Sequence, residues 1–157
     1  MFRNKRALFK DVVDTSIAGD TEPVATMDRD WFHAACAEPT AAGQLRSHVR
    51  GVRDILGRVA PIIPLIAAAA ATDPEIAAQW PVGSDPRYTV QHAAAKALTS
   101  KPDARPDVDI ARAADLLYGL LSPELYLIFV RDRVWSPDAW EEWAYVTLTK
   151  HLCTDHE

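Results

Sequence analysis

The chain has few of the residues that mark disulfide frameworks or membrane spans. Only two cysteines, Cys36 and Cys153, occur in 157 residues, and two distant cysteines are typical of reduced intracellular thiols. The first ten residues are basic with no apolar stretch behind them, so no signal peptide is expected. The longest apolar run, 59–71, contains two prolines and is too short to cross a bilayer. These absences predict a cytoplasmic protein with no membrane partner.

Signatures of catalysis are also missing. The sequence contains no GxSxG, no phosphate-binding glycine loop and no HExxH. His33 and Cys36 are three residues apart, and His151 and Cys153 lie near the end of the chain, but neither group has paired CxxC spacing. The net charge of −5 excludes a globally basic surface for nucleic acid. We therefore expect no enzyme, no metal and no cofactor, with a metal-dependent enzyme as the weakest alternative.

The features that are present indicate helices. Apolar residues fall at helical spacing, and β-branched alternation is absent. A capping side chain precedes a proline four times, which is the preferred order for a helix start. These pairs are Asp73-Pro74, Asp85-Pro86, Ser122-Pro123 and Ser136-Pro137. The sequence therefore predicts an all-α helical bundle with helices over 5–18, 30–37, 41–59, 62–71, 75–80, 86–99, 107–121, 124–132 and 137–152.

The helix predicted over 41–59 has two distinct faces. Its apolar stripe is formed by Leu45, Val49, Val52, Leu56 and Val59, a pattern typical of a helix packed against a core. On another face lie Arg46, Arg50 and Arg53, which we expect to form a solvated surface or, less favoured, to hold an anion. The acidic residues of the predicted helices are expected on solvated faces. They are Asp54, Asp115, Glu141 and Glu142.

Basic residues stand at the start of the first predicted helix. Lys5 and Arg6 are unfavourable there by about 0.3–1 kcal/mol, because the helix dipole places partial positive charge at the same end. A phosphate in front of the helix would reverse that effect. The alternative is a charged chain end without a function.

The segment Phe2-x-Asn4-Lys5-x-x-Leu8-Phe9 resembles the junction that ends the DNA-binding domain of TetR-type (tetracycline-repressor-like) transcriptional regulators. The resemblance implies an all-helical regulator, expected to be a repressor, whose larger C-terminal domain dimerises and binds an effector. It makes 1–4 a remnant of the helix-turn-helix junction and 5–157 the effector-binding and dimerisation domain. It also assigns a DNA phosphate contact to Lys5.

The helices that would read an operator are missing before Phe2, and a helix-turn-helix needs its second helix for base recognition. A truncated regulator is favoured over a wrongly chosen start or a natural remnant. Operator DNA is accordingly a partner only if the missing domain is present.

The resemblance also indicates where the effector and the partner subunit would bind. A small apolar or aromatic effector is expected to contact Trp80, Tyr88, His92, Tyr118 and Phe129. A homodimer is expected to form through the last two long helices, which carry Ile110, Ala114, Leu117, Leu121, Trp140, Ala144, Thr147, Leu148 and His151. In both cases the alternative is ordinary core packing. A second hypothesis for the whole protein is a free-standing helical homodimer that binds a small apolar ligand and never contacts DNA.

Overall fold

The computed structural model describes residues 7, 8, 11, 26–79 and 86–155. The Lys5 phosphate contact, the helix predicted over 5–18 apart from three of its residues, and Trp80 lie outside the described residues. The structural statements below concern the described part of the chain.

The described part is all-helical, as the sequence predicts, and it contains no β-strand. An isolated bridge joins Ala104 and Cys153. The α-helices are α1 (Asp30–Cys36), α2 (Ala41–Val59), α3 (Ile63–Thr72), α4 (Pro74–Gln79), α5 (Pro86–Thr99), α6 (Ile110–Leu120), α7 (Pro123–Leu127) and α8 (Pro137–Leu152). Short 3₁₀ turns occupy Thr26–Asp28 and Ala60–Ile62, and a π-helix occupies Ile128–Asp132.

Several predicted helix boundaries are confirmed because they depend on local capping. The helices over 41–59, 86–99 and 137–152 have the predicted limits. Ser122 and Ser136 cap α7 and α8 as expected, each accepting from a backbone N–H three residues on. The helix predicted over 107–121 begins later, at Ile110, because the carboxylate of Asp109 accepts from Arg112 N at 2.8 Å and fixes the first turn there. Asp85 lies outside the described residues.

The segment predicted as a single helix over 124–132 changes character halfway. After α7 the backbone widens into the π-helix, and Arg133 N donates to Ile128 O at 3.0 Å across five residues. The next residue, Val134, has a φ of 60° and is 82% exposed. A left-handed conformation is unusual for a β-branched residue, and here it turns the chain so that Trp135 N donates to Phe129 O at 2.9 Å.

Helix α2 supplies the centre of the core. All five residues of its predicted stripe are buried, none more than 7% exposed, so that prediction is confirmed. The N-terminus of α2 is held from a distance by the buried Asp103, whose carboxylate accepts from the backbone N–H groups of Ala41 and Ala42. Asp103 O accepts from Thr154 N at 2.9 Å, so the loop before α6 joins the start of α2 to the end of α8.

Most of the predicted dimer stripe is core. Six of its residues are at most 2% exposed within the single chain, because α6 packs against α5 and α8 packs against α2. They are Ala114, Leu117, Leu121, Trp140, Ala144 and Leu148. A side chain covered by its own chain has no surface left for a partner, so the prediction that these six contact a second subunit is wrong. Ile110 and Thr147 are half-buried and His151 is exposed, and these three keep accessible surface.

The apolar helix α3 lies at the surface. None of its residues is buried, and Leu65 is 63% exposed. Two helical stretches, Ala41–Thr72 and Ile110–Asp132, have the length and composition of a membrane span. Only 17% and 33% of the apolar windows in these two stretches are buried in the structure, and one or two such helices are weak evidence for a membrane span, because the core helix of a water-soluble protein passes the same test.

Candidate functional site

The arginine row of α2 is paired with acids of α8. A guanidinium nitrogen of Arg46 lies 2.7 Å from a carboxylate oxygen of Glu142, and one of Arg50 lies 3.2 Å from a carboxylate oxygen of Glu141. The guanidinium of Arg53 contacts two carboxylates, that of Glu141 at 3.4 Å and that of Asp138 at 2.7 Å. The solvated face predicted for Glu141 is wrong: the residue is 8% exposed, because the two arginines draw its carboxylate into the α2–α8 contact. These pairs hold two helices together, so the row is a structural feature rather than an anion site.

Three of the predicted effector contacts come together between α5 and α6. The ring centroid of Tyr88 lies 5.7 Å from that of Tyr118 and 6.1 Å from that of His92. The guanidinium of Arg87 stands 4.5 Å above the Tyr118 ring, at the distance of a cation–π contact. His92 itself is exposed, so this group opens to the surface.

Phe129 belongs to a different aromatic group. Its ring stacks on Trp135 with centroids 4.5 Å apart and lies 4.8 Å from Trp143. This group joins the π-helix to α8. The structure therefore does not bring Phe129 together with the other predicted effector contacts.

The sequence prediction missed a buried polar group between α2 and α5. Gln44, His48 and Gln91 are 1%, 1% and 6% exposed, and we call these three residues the polar core cluster. Gln44 Nε2 donates to Ala94 O at 2.9 Å, and His48 Nε2 lies 2.8 Å from Gln91 Oε1. Uncharged polar side chains are rarely placed so deep unless they are hydrogen-bonded or have a specific role.

Two atoms of the polar core cluster have no hydrogen-bond partner among the described residues. They are Gln44 Oε1 and His48 Nδ1, both fully buried. Leaving a buried acceptor unpaired costs about 1–3 kcal/mol, and such atoms in a folded protein are explained by a water, a ligand or a functional role. Because Gln44 and His48 are one helical turn apart, the two acceptors lie on the same side of α2.

Aromatic rings of α1 border the cluster. The ring centroids of Trp31 and Phe32 each lie 6.1 Å from that of His48. Trp31 lies so close to α2 that only a glycine fits beneath it: a Cβ built on Gly51 would be 2.2 Å from Trp31 Cε3. The polar atoms of the cluster therefore lie among aromatic side chains, and a few polar atoms among apolar side chains are also the usual composition of a small-molecule site.

The environment of His48 makes stability depend on pH. Burial lowers the pKa of His48, and the hydrogen bond to Gln91 only partly opposes this effect. An unfolded histidine takes up its proton near pH 6.5, whereas the folded ring stays neutral below that pH. The unfolded state thus binds more protons, and the free energy of unfolding falls as the pH falls from 6.5, by up to about 1.4 kcal/mol per pH unit.

We expect urea denaturation between pH 6.5 and pH 5 to show this loss in the unaltered protein. His48→Gln removes the titrating group and should flatten the dependence. Equal slopes in the unaltered protein and the His48→Gln variant would contradict the assignment.

The cysteines are poorly suited to nucleophilic chemistry. Desolvation raises the pKa of the buried Cys153 to about 11, with a further contribution from Asp103. Burial also raises the pKa of Cys36, although Lys101 acts in the opposite direction. A thiolate is the reactive form of cysteine, so neither side chain is activated at neutral pH. Within the described ranges, no three His, Cys, Asp or Glu side chains are grouped as a metal site would need.

Comparison with known proteins returns no match: no family model fits the chain, and neither a curated protein nor a solved structure is similar to it.

Proposed function

We propose that the chain is the effector-binding and dimerisation part of a TetR-type transcriptional regulator, and that the polar core cluster lies in its effector site. The regulator rests on the resemblance of the segment 2–9 to the TetR-type junction, and the observation that supports the effector site is the pair of buried acceptors, Gln44 Oε1 and His48 Nδ1, bordered by the rings of Trp31 and Phe32. A helical core built only for stability gains nothing from unpaired buried acceptors. A binding domain uses such atoms to orient a ligand.

In this proposal the effector acts by favouring one arrangement of helices. A ligand held between α1, α2 and α5 would stabilise one spacing of these helices over another, and that preference would pass to the segment 5–18, which the family resemblance assigns to the connection with the DNA-reading domain. The size of the response is limited by the difference in effector affinity between the two arrangements. By the same linkage, operator binding would change effector affinity by the same factor.

The reading frame upstream of Met1 gives the first test. An in-frame helix-turn-helix that ends in an aromatic residue just before Arg3 would support the regulator. The longer protein should then bind operator DNA, and adding the effector should either weaken or strengthen that binding. A stop codon directly upstream would favour the second hypothesis, a free-standing homodimer that binds a small ligand without DNA.

The homodimer can be tested on surface that the single chain leaves free. On α8, Val146 is 39% exposed and lies one turn from the half-buried Trp143. If a partner covers this face, Val146→Glu would bury an unpaired charge and raise the dimer dissociation constant by about a hundredfold, or about 2.8 kcal/mol. Light scattering coupled to gel filtration measures the change.

The matched control for Val146→Glu is Leu65→Glu on α3, at a position 63% exposed and outside the last two long helices. It should leave the dimer intact. A monomeric unaltered protein would refute the dimer, and an unchanged dimer in the Val146→Glu variant would exclude this face of α8.

A further inference from the structure

The two unpaired atoms of the polar core cluster have the same hydrogen-bonding character. The amide of Gln44 is oriented by its contact with Ala94 O: a carbonyl oxygen only accepts, so the group facing it is the NH₂. Gln44 Oε1 is therefore the free end of that amide, and it is an acceptor. The orientation is fixed by the backbone of α5 rather than by another adjustable side chain.

His48 presents a second acceptor. Its Nε2 faces Gln91 Oε1 at 2.8 Å, and an amide oxygen accepts, so the neutral imidazole carries its proton on Nε2. The other ring nitrogen, Nδ1, then presents a lone pair. Two buried lone pairs thus lie one turn apart on one side of α2.

We propose that the effector is an uncharged molecule that donates two hydrogen bonds, one to Gln44 Oε1 and one to His48 Nδ1, and that carries an aromatic or apolar body against Trp31 and Phe32. This inference rests on the proposed function, because it names the chemistry of the ligand at that site. A primary carboxamide is the simplest group that fits.

The charges around the cluster favour an uncharged ligand. The buried carboxylates of the described chain are engaged elsewhere: Glu141 pairs with Arg50 and Arg53, and Asp103 caps α2. A buried cation would then lack a counter-charge, and an anion would face two lone pairs. Either would carry a large desolvation penalty.

The test compares two probes of nearly equal shape. Benzamide carries an NH₂ group where acetophenone carries a methyl group, and both are uncharged. We expect benzamide to bind the chain at least about tenfold more tightly, or about 1.4 kcal/mol, in NMR titrations. We also expect benzamide, and not acetophenone, to move the ¹⁵N resonance of His48 Nδ1 upfield as that lone pair accepts a hydrogen bond.

A variant separates donor recognition from simple burial. Gln44→Met keeps an unbranched side chain but removes the acceptor, so the preference for benzamide should shrink several-fold while acetophenone binding stays as it was. Lys96→Met, at an exposed position of α5 outside the cluster, is the control and should keep the full preference. The comparison of the two probes on the unaltered chain stands even if Gln44→Met fails to fold.

Three outcomes would overturn the inference. Equal binding of the two probes with a perturbed His48 ring would leave the proposed binding site intact and refute the donor chemistry. No binding of benzamide at millimolar concentration would refute the inference, while operator binding by the longer protein would still test the regulator separately. A His48 Nδ1 resonance already at its hydrogen-bonded position, and unmoved by benzamide, would assign these acceptors to an internal water.

Discussion

Replacing Gly51 by alanine should destabilise the protein by about 1–3 kcal/mol, although alanine is the better helix former by about 1 kcal/mol. The reason is the indole of Trp31, since an added Cβ would lie 2.2 Å from its Cε3 and 2.4 Å from its Cζ3. Trp31 cannot move freely, because it also packs edge-on against Phe32 with ring centroids 5.8 Å apart. Either α1 must shift away from α2 or the indole must leave its position beside His48.

The matched control is Gly57 on the same helix. A Cβ there would have Tyr126 Oη as its nearest neighbour, at 3.9 Å, which is an ordinary contact. Gly57→Ala should therefore stabilise the protein by about 0.5–1 kcal/mol through helix propensity alone. Urea denaturation of both variants should give free-energy changes of opposite sign. A neutral or stabilising Gly51→Ala would show that the close contact with Trp31 is wrong.

Replacing Asp103 by alanine should reduce the free energy of unfolding by about 2–4 kcal/mol. The carboxylate is 8% exposed and accepts from two backbone N–H groups at the start of α2. Hydrogen bonds to a charged group are worth about 1.5–3 kcal/mol each, and the orphaned N–H groups would stay in a largely buried setting. The loss should exceed that of an ordinary helix cap, which is about 1 kcal/mol.

Asp109 provides the comparison, because it caps α6 by a local and exposed contact with Arg112 N at 2.8 Å. Asp109→Ala should reduce the free energy of unfolding by about 1 kcal/mol. Asp103→Asn should reduce it by an amount between those of Asp109→Ala and Asp103→Ala, because one acceptor oxygen remains. Thermal and urea unfolding measure all three. If Asp103→Ala cost no more than Asp109→Ala, the long-range cap would contribute nothing beyond a local one.

The sequence predicted what depends on neighbouring residues. Ser136 followed by Pro137 defines the start of α8, and the spacing from Leu45 to Val59 defines the buried face of α2. It also predicted the contact of Tyr88 with His92, since residues four apart share a helix face. Such features need no knowledge of which helices pack together.

The features that the sequence did not predict depend on helix pairing. An apolar stripe on α6 shows that one face is covered but not whether its own chain or a partner covers it, and this is why Leu117 and Leu148 were wrongly assigned to the dimer. The polar core cluster forms only when α5 brings Gln91 to His48, 43 positions along the chain. One signal was present: Gln44 and His48 directly precede Leu45 and Val49 of the stripe.

The π-helix at Ile128–Asp132 has a consequence for chain length. The hydrogen-bonded ring of a π-helix contains one more residue than that of an α-helix. The stretch Ile128–Asp132 therefore contains one residue more than the corresponding turn of an α-helix. Removing one residue between Phe129 and Arg133 would close the ring to α-helical size and would shorten the connection from Phe129 to Trp135 by one residue. Trp135 would then leave Phe129, whose ring centroid is 4.5 Å away. What this stretch must conserve is therefore its number of residues, and insertions or deletions here would be selected against more strongly than changes of side chain.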